Sequence, residues 1–381
     1  MIDSKLPYTG TSIFTVMSAL AAEHGALNLS QGFPDFPVDP DLVERINDYM
    51  KRGYNQYAPM PGVPVLKQEI SRVVEESFLR KTDPNEEVII YSGATEGLFV
   101  TLLTIINKGD EVIIFDPVYD SYDPVTRLAG GIPVHVPLQP PYFDIPWEIV
   151  ERKITNRTKA IVVNTPHNPT GKLFSEEDMQ KLAFLAEKND LYVVSDEVYE
   201  RIVFDGRKHE SVLKYPALRK RAIAIFSFGK TFHATGWKIG YTVAVPEITS
   251  ELRKVHQFVT FSVNTPIQYA LADHLKNPEN YLNLGAFFQA KRDRFLEGIK
   301  GTKFVPLPCG GTYFQVVSVP DMEGLSDEEY VRRMTIRDGV AAIPISVFYQ
   351  DQQDHRLLRF CFAKEDETID RATEILRRLY S

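Results

Sequence analysis

The chain has 381 residues, long enough for a large buried core built as two domains or as one large domain with a smaller appendage. Its 51 acidic and 43 basic side chains leave a formal net charge of −8, so no overall positive field exists to attract nucleic acid or an anionic membrane. No uninterrupted apolar run approaches the roughly 20 residues of a membrane span, and the two cysteines, Cys309 and Cys361, form neither a disulfide framework nor a CxxC metal site.

In chain order, the N-terminal segment MIDSKLPYTGTSIFTVMSAL has polar residues where an export signal needs a continuous apolar stretch, so a reducing cytoplasm is expected. The first 40 or so residues, rich in Pro and Gly, are expected to pack against the C-terminal part or to line a cleft. From about residue 85, short β-branched runs alternate with longer amphipathic stretches, the pattern of parallel strands with crossover helices. EVIIY at 87–91 precedes a helix expected over 94–106, and EVIIF at 111–115 precedes one over 119–129 and the run IPVHV. KAIVVN at 159–164 is followed by a helix over 175–188, then LYVVS at 191–195 and RAIAIFSF at 221–228. Several of these runs are apolar at consecutive positions, which implies strands covered on both faces.

Beyond about residue 275 the rhythm changes to one long helix over 281–299, short strands around TKFVP, TYFQVV and LLRFCF, and a charged closing helix over 365–380. The expected fold class is α/β: a large, mostly parallel, helix-covered sheet domain over 41–275, with a smaller α+β domain from 1–40 and 276–381.

The strongest local signal is SFGKTFHATGWKIGY at 227–241, which places Lys230 just past a strand, where open α/β sheets put ligands. A lone lysine is ordinarily a solvated charge. Three other segments change the weighting. Asp196 follows a buried-looking strand in VVSDEVYERIVF, with Tyr199 three residues on; such a carboxylate is an ordinary N-cap or, in a cofactor site, the partner of a pyridine nitrogen. NTPHNPTGKLFS at 164–175 is a turn signal that also presents the amide donor of Asn168. SGATEGL at 92–98 leads a strand into a helix whose first N–H groups, at Ala94 and Thr95, form either a plain capped start or a phosphate cradle, with Ser227 and Lys238 completing its neutralisation.

Taken in order, together with NLSQGFPDF at 28–36, NQYAPMPGVPVLKQEI and LLRFCFAK at 357–364, these segments resemble the fold-type I aminotransferases that depend on pyridoxal phosphate (PLP), in the branch with kynurenine, glutamine and methionine transaminases. The resemblance implies that Lys230 forms the Schiff base, Asp196 pairs with the pyridine nitrogen, and Asn168 and Tyr199 hold the ring's phenolic oxygen. It implies that Tyr119 stacks on the ring and that Arg359 grips the substrate α-carboxylate, with Gly32, Asn168 and Phe14 also at the substrate. Tyr57 matches a tyrosine that reaches the phosphate from a neighbouring subunit, which implies a homodimer. Lys238 stands where many relatives have arginine, so the two-pronged phosphate contact of arginine is lost there.

The implied reaction is ping-pong transamination: an L-amino acid gives its amino group to the cofactor, leaves as a 2-oxo acid, and a second oxo acid takes the group away, with Lys230 as the base at Cα. A transaminase selective for aspartate needs a second cation, and none is apparent. Ile13, Phe14, Phe33, Tyr57, Phe261 and Tyr313 instead offer apolar contacts or simply belong to the core, so methionine, phenylalanine, tyrosine, kynurenine or glutamine suit the site better. A PLP β-lyase acting on cysteine conjugates would use the same residues. A PLP-sensing regulator would need a DNA-binding segment for which the pattern leaves no room. GKT at 229–231 lacks the Walker glycine, since Ala224 stands there; Ile225 breaks GxSxG; and Leu213 breaks the zinc pattern HExxH.

Overall fold

The structure, a computed structural model, describes residues 2–379. Its strands in chain order are Leu27–Asn28 (β1), Val88–Tyr91 (β2), Glu111–Asp116 (β3), Ile132–Pro137 (β4), Thr158–Asn164 (β5), Tyr192–Asp196 (β6), Ala222–Ser227 (β7), Gly240–Val243 (β8), Val305–Pro306 (β9), Phe314–Ser318 (β10), Val340–Ala341 (β11), Ile343–Pro344 (β12) and Leu357–Cys361 (β13). Seven of them form one sheet in the order β2-β8-β7-β6-β5-β3-β4. All pairings in it are parallel except those of β8, which runs antiparallel to both β2 and β7.

The apolar runs are explained by this sheet. Along β5, Ala160 and Val162 face one layer while Ile161 and Val163 face the other, and all four are buried. The first layer packs on the helices Ala94–Ile105, Tyr122–Leu128 and Pro246–Val259, and the second on Pro64–Phe78 and Glu176–Lys188. A sheet covered on both sides buries every side chain, so period-two alternation disappears. Ser175 caps Glu176–Lys188 through a reciprocal capping box with Asp178, which fixes where that helix starts.

The C-terminal part forms an antiparallel sheet, β12-β13-β10-β9, backed by the helices Leu284–Ile299 and Asp366–Arg378. The N-terminal segment joins it: β1 pairs in parallel with β11, and the Cys361 N–H donates to Leu29 O. Two boundaries differ from expectation. The helix expected from residue 281 breaks at Asn283 into Glu279–Leu282 and Leu284–Ile299; asparagine is a weak helix-interior residue, and Gly285 just beyond lies so close to Val203 O that a Cβ there would be 2.8 Å from it. The helix expected from residue 119 begins at Tyr122 because the Val118 N–H donates to Phe348 O, holding residues 118–121 in a loop. Tyr380, at the end of the expected closing helix, lies outside the described residues. Among the described residues no helix is long and apolar enough to cross a membrane.

Candidate active site

Strands β5, β6 and β7 end side by side at one edge of the large sheet, with Asn164, Asp196 and Ser227 as their last residues. The edge opens into a cleft of about 320 Å³ whose far wall is made by the N-terminal segment and by β10 and β13. Lys230, Asp196, Tyr199, Ala94, Thr95, Tyr119, Asn168, Ser227, Lys238, Arg359, Gly32 and Phe14 all line it. Tyr57 does not: it is 83% exposed, beside Phe261 on another face, with ring centroids 5.6 Å apart.

Lys230 is carried by the short helix Phe228–Thr231, which continues directly from β7. Its Nζ donates to Tyr313 Oη at 2.8 Å and to Gly32 O at 3.3 Å, while the Tyr313 hydroxyl donates to Gly32 O at 2.5 Å. Burial, reinforced by the nearby charges of Lys238 and Arg359, pulls the ammonium down to about 8, so a neutral amine is accessible near neutral pH.

Asp196 is a buried carboxylate with no ion pair among the described residues. Oδ2 accepts from the Tyr122 hydroxyl at 2.6 Å and Oδ1 from the Val198 N–H at 3.3 Å. Burial raises its pKa to about 6 against the pull of these donors. A buried carboxylate without an ion-pair partner is costly, and the Lys230 charge in the same cleft offsets only part of the burial.

Arg359, 1% exposed, has the opposite deficit. Nη1 donates to Asn168 Oδ1 at 3.0 Å and Nη2 to Ser30 O at 2.8 Å, both neutral acceptors, while Nε has no hydrogen-bond partner among the described residues. Burial lowers its pKa to about 10. Its guanidinium lies 3.9 Å from the Phe314 ring centroid and 5.0 Å from that of Phe14, which holds the fork in place. Asn168 is fixed from behind, its N–H donating to Asn164 Oδ1 at 2.7 Å while Asn164 Nδ2 donates to Asp196 O at 2.8 Å.

At the other end of the cleft, the N–H groups of Ala94 and Thr95 begin the Ala94–Ile105 helix without a backbone acceptor, with Ser227 and Lys238 opposite. The backbone here leaves no room for side chains at two glycines. A Cβ on Gly240 would lie 2.6 Å from Ala94 N, and one on Gly93, at φ +83°, would lie 3.1 Å from Lys238 Nζ. Free helix N–H groups, a hydroxyl and an ammonium make an anion site.

Two residues acquire roles that their sequence context does not suggest. Tyr122 supplies the hydroxyl to Asp196, and only the i, i+3 spacing from Tyr119 hinted that the two share a face. Tyr313, open from the sequence as substrate contact or core, is 0% exposed and accepts a hydrogen bond from Lys230. Of the other apolar candidates, Phe33 joins Phe14 on the cleft wall, and the partly buried Ile13 packs against the core.

Residues 25–376 match the family described as aminotransferase class I and II. The chain belongs to that family. It is 47% identical over 377 residues to the methionine aminotransferase of Escherichia coli (strain K12), covering 99% of this chain and 98% of that protein. It is 34% identical to human kynurenine–oxoglutarate transaminase 3, over 96% of this chain and 88% of that one. A crystal structure of an Escherichia coli protein with a methionine aminotransferase function superimposes with a TM-score of 0.97 at 46% identity, covering 99% of each chain. The fold is thus that of the aminotransferases, and the protein is a transaminase, moving an amino group between an amino acid and a 2-oxo acid.

Proposed function

We propose that this transaminase works with PLP held on Lys230, and that its amino donors are L-amino acids with apolar, aromatic or sulfur-containing side chains, of the methionine, phenylalanine, tyrosine, kynurenine or glutamine type. The observation that carries the reading is a pair of buried charges that line one cleft with Lys230 and form no ion pair among the described residues, Asp196 and Arg359. A protonated pyridine nitrogen answers the first, and a substrate α-carboxylate answers the second.

The donor set suits the cofactor from end to end. Ala94, Thr95, Ser227 and Lys238 would take the phosphate, Tyr119 the ring face, Asn168 and Tyr199 the phenolic oxygen, and Asp196 the ring nitrogen. When bound, PLP supplies an electron sink for the pair left as the Cα–H bond breaks. Arg359 orients the substrate through its carboxylate, and Lys230 Nζ accepts, holds and returns the Cα proton. Tyr313 and Gly32 O give that amine a defined place between transfers. Phe14 and Phe33, with Phe314 behind, offer apolar walls to the side chain. The likeness to methionine and kynurenine transaminases supports the same class of donor.

A homodimer in the cytoplasm completes the reading. Tyr57, Phe258, Phe261 and Met50 are exposed apolar side chains close to one another in the chain or in space, and a partner subunit covering them would bring Tyr57 to its own phosphate site. The test is borohydride reduction of the PLP-loaded protein followed by peptide mapping. The label is expected on Lys230 and absent from a folded Lys230→Ala variant, and methionine is expected to yield its 2-oxo acid. Labelling elsewhere, or release of ammonia, pyruvate and a thiol from cysteine conjugates without amino transfer, would overturn the proposal.

A further inference from the structure

We propose that Asp120 is a specificity-determining residue, setting this transaminase against amino and 2-oxo acids that carry a side-chain carboxylate. The inference deepens the reading above and rests on it for the use of the cleft.

Three cationic side chains line the cleft wall: Lys230, Lys238 and Arg359. Each has a task already, so none remains for a second carboxylate on the substrate. The wall carries an extra anion instead. Asp120 follows Tyr119 in the loop between β3 and the Tyr122–Leu128 helix, and its carboxylate makes no ion pair and no hydrogen bond to another residue among the described residues.

Its neighbours differ in this respect. Asp116 lies 2.7 Å from His135 Nδ1 and accepts from the Gln350 N–H, and Asp123 pairs with His135 and Arg127. Of the three aspartates in this strand, loop and helix start, Asp120 alone is left unpaired on the cleft. Arg359 lines the same cleft, and its charge partly opposes the burial that raises the Asp120 pKa. Asp120 therefore shares the cleft lining with Arg359, the proposed α-carboxylate site, and with Phe14 and Phe33.

A donor held by Arg359 extends its side chain among these groups. A thioether or phenyl group meets aromatic rings. A second carboxylate meets another carboxylate in a partly dry site, where two like charges several ångströms apart disfavour binding by about tenfold or more. Selection against aspartate, glutamate and 2-oxoglutarate then comes from a repulsive element as well as from a missing cation.

The test uses PLP-loaded wild type, Asp120→Asn and Asp120→Glu, measuring kcat/KM for methionine and for glutamate with one shared oxo-acid acceptor. The glutamate-to-methionine ratio is expected to rise about tenfold in Asp120→Asn, and to stay close to wild type in Asp120→Glu, which keeps the charge. Inhibition by succinate relative to butyrate should strengthen in the same variant, a binding readout independent of turnover. An unmoved ratio in Asp120→Asn, or an equal rise in Asp120→Glu, overturns the assignment. Loss of borohydride labelling at Lys230 in the wild type would instead overturn the underlying function.

Discussion

Lys230 is set by its surroundings to be a nucleophile. Its ammonium is partly desolvated and faces two other cations, both of which favour the neutral amine, and its pKa falls to about 8. The neutral fraction therefore grows as pH rises through that value. The rate at which cofactor-free protein captures PLP, followed by the change in visible absorbance, is expected to climb through about pH 8 and then level off; a rate flat across this range would show that Lys230 is not the capturing group. Asp196 illustrates what sequence alone does not reveal at this scale. Its position at a strand end is legible in VVSDEVY, but its hydroxyl partner Tyr122 lies 74 positions away. Tyr313 is similarly opaque: an aromatic of this kind reads equally as core or as cleft wall, and only its 0% exposure and 2.8 Å contact to Lys230 show its place.

At the level of elements, the phosphate end of the cleft depends on how closely β8 approaches the start of the Ala94–Ile105 helix. Gly240 begins β8, and a Cβ there would come within 2.6 Å of Ala94 N and 2.7 Å of Phe226 O. Both are backbone atoms and cannot swing aside. Gly240→Ala is expected to cost about 1–3 kcal/mol of stability in denaturant melts, the usual range for overpacking, and to weaken PLP binding in equilibrium dialysis by displacing the helix N–H groups. Retention of wild-type PLP affinity would show that those groups do not hold the phosphate. The strands were readable as fully apolar runs, because both faces of the sheet are covered and every position contributes to the signal. Helix boundaries were less readable. The loop at 118–121 exists because Phe348 O captures the Val118 N–H, a contact across 230 positions, with no local breaker to announce it.

For the whole molecule, the N-terminal segment ties the cleft together. Leu29 O accepts from the Cys361 N–H, Ser30 O from Arg359, and Phe33 O from Lys364 Nζ at 3.0 Å, so the stretch that carries Gly32 is fastened to β13 and the turn beyond it. The exposed surface that carries Phe258, at 84% exposed, and Tyr57, at 83%, is where a second subunit is expected. Phe258→Asp would place a charge in that contact, and light scattering is expected to show a shift from dimer toward monomer, with weaker PLP retention as Tyr57 is withdrawn from the partner. A wild-type chain that is monomeric at micromolar concentration, yet active, would sink the shared-site arrangement.

What the sequence by itself determined was local: buried strand runs, a lysine just past one of them, a carboxylate ending another, and a glycine-bearing helix start, in an order specific enough to resemble one family. Each is a property of a few adjacent residues, expressed through backbone preference and burial. The tertiary structure decided which charges meet and which remain unpaired. That Asp196, Arg359 and Asp120 line one cleft with no ion pair among the described residues is a consequence of strand order and packing across hundreds of residues, because desolvation and Coulomb interaction depend on distance in space and not on separation along the chain.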